Sequence, residues 1–227
     1  MMPVVVAFLS QKGGVGKSTL ARGLAAMAAE SGVAVMVADL DAQQHTILRW
    51  QEMRSTRGIT PDIAVHAFTN INDALENADD VQLVIADASG RASRATLDIA
   101  RQAHLVVQPT GPGLDDLHPG VLLFHELVAA GIPRSRLTFA LCRTSTKEEE
   151  SAARDYLEKA DYAVLPGSIP ERATFRAAHN SGRAITETDD DALNARTEEV
   201  LSALFDRLNA EIEQMKTSGK HGGRGVA

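Results

Sequence analysis

The chain has 227 residues, 44% of them hydrophobic and 23% charged, a composition that suits a globular domain and excludes a disordered or collagenous chain. Its formal charge of −7 at pH 7 excludes nucleic-acid binding through an overall positive field, and its one cysteine, Cys142, excludes a disulfide framework or a multi-cysteine metal site. No apolar run approaches the roughly 20 residues of a membrane span, and the first residues lack the basic start and cleavage site of a secretory leader, so a cytoplasmic location is expected.

The predicted elements alternate along the chain. Residues 4–9 form an apolar strand, 10–19 a glycine-rich loop and 20–30 an Ala-rich helix. Further strands are predicted over 33–38, 63–67, 81–86, 105–108, 137–142 and 163–165. Helices are predicted over 43–57, 71–77, 95–102, 117–130, 147–160, 174–180 and 192–216. Repeated β-α units with wholly apolar strands predict an α/β fold: a doubly wound, mostly parallel sheet with helices on both faces. Residues 1–216 read as one domain without repeat or linker, and 217–227 as a low-complexity tail expected to be disordered.

Four stretches carry chemistry, all at positions where such sheets bind ligands, beyond the carboxyl ends of the strands. The first is Ser10-Gln11-Lys12-Gly13-Gly14-Val15-Gly16-Lys17-Ser18-Thr19. A strand before it and a helix after it make it a phosphate-binding loop. Glycines let the backbone N–H groups from 13 to 19 converge on one point, and the helix adds its positive end. Lys17 brings a full charge to the outer phosphates and Ser18 a hydroxyl for Mg²⁺. The second is Asp39 and Asp41, which share a side if the strand continues through them. One suits water around a metal and the other an attacking water, while a helix N-cap is the alternative for an Asp at such a place. The third is Asp87, closing the apolar run Leu83-Val84-Ile85-Ala86, with Ala88-Ser89-Gly90 behind it. The fourth is a proline-flanked turn, Ile169-Pro170-Glu171-Arg172, followed by a short helix ending at Gly182.

The first stretch departs from the usual phosphate-loop spacing. Gln11 stands where the first glycine falls, and Lys12 precedes Gly13. This K-G-G-x-G-K-[ST] form resembles the deviant Walker A motif of the ParA/MinD family of ATPases. The second stretch matches the family's D-x-D-P-Q at Asp39, Asp41 and Gln43, with Ala42 in place of the proline, and the third resembles a Walker B strand. The resemblance implies ATP and Mg²⁺ as ligands and an ATP-sandwich homodimer into whose opposite site Lys12 reaches. Asp41 would position the hydrolytic water, Ser18, Asp39 and Asp87 would serve the metal, and Pro170 would lie against the adenine. Cys142-Arg143-Thr144 stands where many relatives carry an Asn for the base.

The resemblance also implies a function: ATP hydrolysis coupled to non-specific DNA binding, with a small stimulating adaptor, to partition a plasmid or chromosome. The alternatives are the same engine moving a protein cargo or aiding conjugation, or a metabolic enzyme on this fold. Residues 192–216 carry Leu201, Leu204, Leu208, Ile212 and Met215 on one face and acids elsewhere, unlike the basic membrane helix of the MinD branch. No membrane partner is expected. No helix-turn-helix segment is expected before Val4, so sequence-specific repression is not expected either. The expected DNA contacts are Arg143, Lys147, Arg172, Arg176, Arg183, Arg196, Arg207, Lys216, Lys220 and Arg224, giving nucleoid association in the ATP state.

Overall fold

The computed structural model describes residues 2–41, 43–90 and 94–221, with side chains to Thr217. Ala42 and the tail from 222 lie outside the described residues, as do the side chains of Lys220 and Arg224. In chain order the elements are β1 (Val4–Phe8), α1 (Lys17–Glu30), β2 (Val35–Leu40), α2 (Thr46–Thr56), β3 (Ala64–Ala67), α3 (Ile71–Glu76), β4 (Leu83–Ala88) and α4 (Arg94–Gln102). Then come β5 (Leu105–Thr110), α5 (Leu114–Ala129), β6 (Leu137–Thr144), α6 (Lys147–Lys159), β7 (Ala163–Val164), β8 (Ile169–Pro170), α7 (Ala173–His179) and α8 (Asp191–His221).

The strands lie in the order β3-β2-β4-β1-β5-β6-β7, with β8 joined to β6, and their pairings are parallel. The predicted doubly wound sheet is therefore present. Alternation along each strand feeds two cores. Val6 and Phe8 of β1 and Val37 of β2 pack with α1 and α8, while Val5, Ala7 and Met36 pack with α5 and α6 on the other face. The chain winds away in both directions from β1, so a crevice opens at its carboxyl end. Among the described residues no helix is long and apolar enough to cross a membrane.

Several boundaries differ from the predicted ones, and local hydrogen bonding accounts for the most useful of them. Residue 33 is apolar, yet β2 starts only at Val35. The Val33 N–H instead bonds the Ala28 carbonyl and the Gly32 N–H bonds that of Ala29, with Gly32 at φ 79. This closure of α1 consumes Val33. The shift carries β2 through Asp39 and leaves Asp41 just beyond its end. β5 runs on through Pro109. Pro109 shares the parity of Val107, whose carbonyl accepts the Leu9 N–H. Its missing N–H therefore faces the side where β1 has ended, and the ladder loses nothing there. α8 extends to His221, past the predicted end at 216.

Candidate active site

The carboxyl ends of β1, β2 and β4 surround an open cavity of about 530 Å³. The glycine-rich loop forms one wall. Gly16 is the N-cap of α1 at φ 115, a conformation that a side chain would strain. A Cβ there would also stand 3.1 Å from Cys142 Sγ. The first turn of α1 has no acidic residue, and the N-cap gives it no side-chain hydrogen bond, so its N–H groups face the cavity ready for an anion. α1 begins at Lys17 and not at the first apolar residue, Leu20. Lys17 and Ser18 thus sit on a fixed helical turn. Val15 is buried, and Thr19 lines the cavity.

Lys17 is 8% exposed. Its Nζ donates to the Lys12 carbonyl at 2.9 Å, folded back onto the loop. Burial lowers its pKa, against the pull of Asp87 and Asp41. The Ser18 hydroxyl donates to Asp87 Oδ2 at 2.6 Å. Asp87 is 2% exposed, and its other oxygen, Oδ1, is buried without a hydrogen-bond partner among the described residues. Burial pushes the Asp87 carboxyl up to about 7, with the Ser18 hydrogen bond and Lys17 opposing and neighbouring Asp39 adding to the rise. Gly90 closes this side: a Cβ on it would lie 3.1 Å from the Gly13 nitrogen.

Asp39 and Asp41 do different things. Asp39 lies beside Asp87 in the β2–β4 register and is 1% exposed. Its Oδ1 accepts the Asp41 N–H at 3.0 Å and its Oδ2 the Leu48 N–H at 3.4 Å. It braces the segment above it from beneath the cavity lining. The strand ends at Leu40, so Asp41 does not continue the alternation that would aim both acids alike. Asp41 lines the cavity, and its Oδ1 accepts the N–H groups of Gln43 and Gln44, each at 3.2 Å. These are bonds of a loop turn and not a helix N-cap, because α2 starts at Thr46 with His45 at its N-cap and no side-chain cap bond; they leave Asp41 Oδ2 outside them.

A second cavity of about 460 Å³ adjoins the first at Gly14, Gly16 and Thr19. Pro170, Arg143, Phe175 and His179 line it. Pro170, expected against the base, thus lies in a cavity that borders the phosphate loop. Arg143, at φ 60, pairs with Glu171 at 3.4 Å. His179 borders both cavities; burial, then Arg22, lowers its pKa to about 4.

Three residues here were not found from the motifs. Asp116, in the first turn of α5, accepts from Lys12 Nζ at 3.0 Å. Lys12 is thus engaged within its own chain. Arg22 and His179 line the first cavity. Arg22 stands as a lone cation among residues 20–29, and His179 falls in the short helix of the fourth stretch.

The cations expected to meet DNA are mostly partnered. Arg176 bonds Glu171 at 2.5 Å, Arg183 bonds Asp189 at 2.7 Å and Lys216 bonds Glu213 at 2.6 Å. Arg172 donates to the Glu171 carbonyl and Arg207 to that of Ser135. Arg196 donates to Ser168 and pairs with Glu150. Lys147 opens α6 next to three glutamates.

Comparison with known proteins agrees with this geometry. Maintenance of carboxysome distribution protein A from Gloeobacter kilaueensis is 32% identical over 127 residues, 56% of this chain. The match spans only 57% of that relative's length. Among solved structures, MinD of Pyrococcus horikoshii complexed with Mg-ADP superposes with a TM-score of 0.70 at 16% identity, covering 92% of this chain and 98% of that one. An ATP complex of a Cyanothece McdA variant gives 0.68 at 15% identity, covering 89% and 96%. At such identities the structural likeness is one of fold. The family match is in the sequence itself, over residues 6–185. The chain belongs to the CobQ/CobB/MinD/ParA nucleotide binding domain family.

Proposed function

We propose that the protein is a Mg²⁺-dependent ATPase that dimerises on ATP and uses hydrolysis, stimulated by a small adaptor protein, to position a cargo. The observation that carries this reading is the meeting of Lys17, the Ser18–Asp87 pair and Asp41 around one cavity at the phosphate loop. The loop N–H groups from Gly13 to Thr19 and Lys17 hold the phosphates. The donors suit Mg²⁺: the Ser18 hydroxyl and the Asp87 carboxylate, whose Oδ1 is buried without a hydrogen-bond partner among the described residues. Ser18 and Asp87 would hold the ion, with Asp39 beneath them; when bound it supplies positive charge to the phosphate oxygens. Asp41 orients the attacking water, and Pro170 faces the base.

Lys12 is the dimer residue in this reading, and its bond to Asp116 must open before it can cross to a second chain. Lys12→Ala is expected to leave ATP binding intact and to weaken ATP-driven dimerisation. Asp116→Ala is expected to do the reverse and allow dimers at lower ATP. Exposed ion pairs of this kind are worth about 0–1 kcal/mol, so the expected change from Asp116→Ala is a few-fold in dimer affinity. Analytical ultracentrifugation across an ATP titration checks both. Wild-type dimerisation by Lys12→Ala would make Lys12 a loop lysine serving its own chain.

Two cargoes remain in play. Plasmid or chromosome partition requires non-specific DNA binding and nucleoid association in the ATP state. The exposed pairs that engage Arg176, Arg183 and Lys216 are weak enough to exchange for phosphates, and a dimer doubles the contacts. The carboxysome-distribution relative favours the second reading, a protein cargo. An electrophoretic shift with unrelated duplexes at about 50 mM salt, in ATP, ADP or no nucleotide, tests whether DNA is the track. Binding confined to ATP and indifferent to sequence supports the DNA-tracking engine, and a pull-down that identifies the partner then separates the two cargoes. Each arginine then removed from the contact should lower the salt slope by about 1. Absence of binding in all three states supports a cargo or enzyme role that does not use DNA as its track.

A further inference from the structure

Arg22 lies four residues after Ser18 on α1, on the face turned toward the cavity. It is 6% exposed. Its Nη2 donates to the Thr46 carbonyl, in the first turn of α2, at 2.7 Å. Its guanidinium carbon stands 5.6 Å from the centre of the Trp50 ring. Its Nε is buried without a hydrogen-bond partner among the described residues. A buried guanidinium is costly unless its bonds return the cost, and the bond it makes reaches the segment that carries Asp41. That segment is short and has few other anchors. Asp41 bonds the N–H groups of Gln43 and Gln44, its carbonyl accepts from His45, and His45 takes φ 45 before α2 begins. Asp39 holds one side of it from below through Asp41 and Leu48. Arg22 holds the other side, from one turn further along the helix that presents Lys17 and Ser18.

We propose that Arg22 is a positioning residue that sets the Asp41 segment against the phosphate loop. The proposal rests on the ATPase reading above, in which Asp41 orients water. Arg22 touches neither water nor phosphate in this role. It couples the helix that bears the phosphate-binding groups to the loop that bears the carboxylate, so the distance between them is set by one charge-assisted bond.

The test is a double-mutant cycle with Arg22→Met and Asp41→Asn. Methionine keeps much of the length and the contact with Trp50 and removes the donor together with a charge that faces the buried Asp87 and Asp39, so a thermal midpoint is the control for the fold. Arg22→Met should lower kcat about 10- to 100-fold, the scale of a small misplacement, with the dissociation constant for ATP unchanged. In the Asp41→Asn background it should cost little more, because both changes remove one function. Full additivity, an unchanged kcat, or a loss confined to ATP affinity would overturn the proposal. A second measurement needs no turnover. Amide exchange at residues 43–46 in the nucleotide-free protein should quicken about tenfold in Arg22→Met, as expected for loss of one charged hydrogen bond. Unchanged exchange there would overturn the positioning role even if ATP is hydrolysed. A wild-type protein that fails to hydrolyse ATP while Arg22→Met still loosens 43–46 would reject the ATPase reading and keep Arg22 as the anchor.

Discussion

Lys17→Ala is expected to abolish measurable ATP turnover. Lys17 is the buried cation of the phosphate loop, held between the Lys12 carbonyl and the field of Asp87 and Asp41. The transferred phosphoryl group spreads charge over its outer oxygens in the transition state, and a preorganised cation there is worth more than in water. Loss of one such group costs about 10²–10³-fold elsewhere. Alanine also leaves the cavity without a full positive charge on the loop, so ATP affinity should fall with the rate. Phosphate release under saturating ATP measures the first and nucleotide titration the second. The fold should survive, because the removed ammonium bonds only a loop carbonyl; a thermal midpoint near wild type is the control. Wild-type turnover in this variant would sink the ATPase reading.

Asp41 offers a sharper comparison, because its carboxylate holds a turn beside the water-orienting role proposed above. Asp41→Ala removes both the water-orienting oxygen and the acceptor for Gln43 and Gln44. Asp41→Asn keeps an acceptor oxygen for the turn and removes the charge. If the carboxylate orients water, both variants should bind ATP and hydrolyse it about 10²–10⁴-fold more slowly. Both should therefore accumulate as dimers under ATP, which light scattering detects. If the carboxylate matters only as the acceptor of that turn, asparagine should restore the rate and alanine should not. A rate near wild type for Asp41→Asn would leave Asp41 only the turn role, and a monomer under saturating ATP would contradict the dimer cycle.

The phosphate loop was legible because its causes are local. Gly13, Gly14 and Gly16, the apolar run before them and the helix after them lie within one continuous stretch, and the backbone chemistry of glycine does not depend on distant partners. The same holds for the strands of the sheet, whose apolar runs follow from burial on two faces. Boundaries were less legible where apolar residues served a turn, as Val33 does in closing α1.

What the tertiary structure alone decided are the contacts between residues remote in sequence. Asp39 and Asp87 become neighbours only because β4 inserts between β1 and β2. Burial between those strands raises the Asp87 pKa, and the Asp39 carboxylate placed beside it adds to the rise. Lys12 meets Asp116 across a separation of 104 residues, so its engagement within its own chain could not be read from the loop. Arg22 finds the Thr46 carbonyl because α1 and α2 pack on the same face of the sheet. Periodicity reports which side of an element is buried and glycine reports where the backbone must turn, and both are encoded within a few residues. Strand order and side-chain pairing are settled by the packing of the whole chain, and in this protein they determine which of the charges recognisable in the sequence face one another.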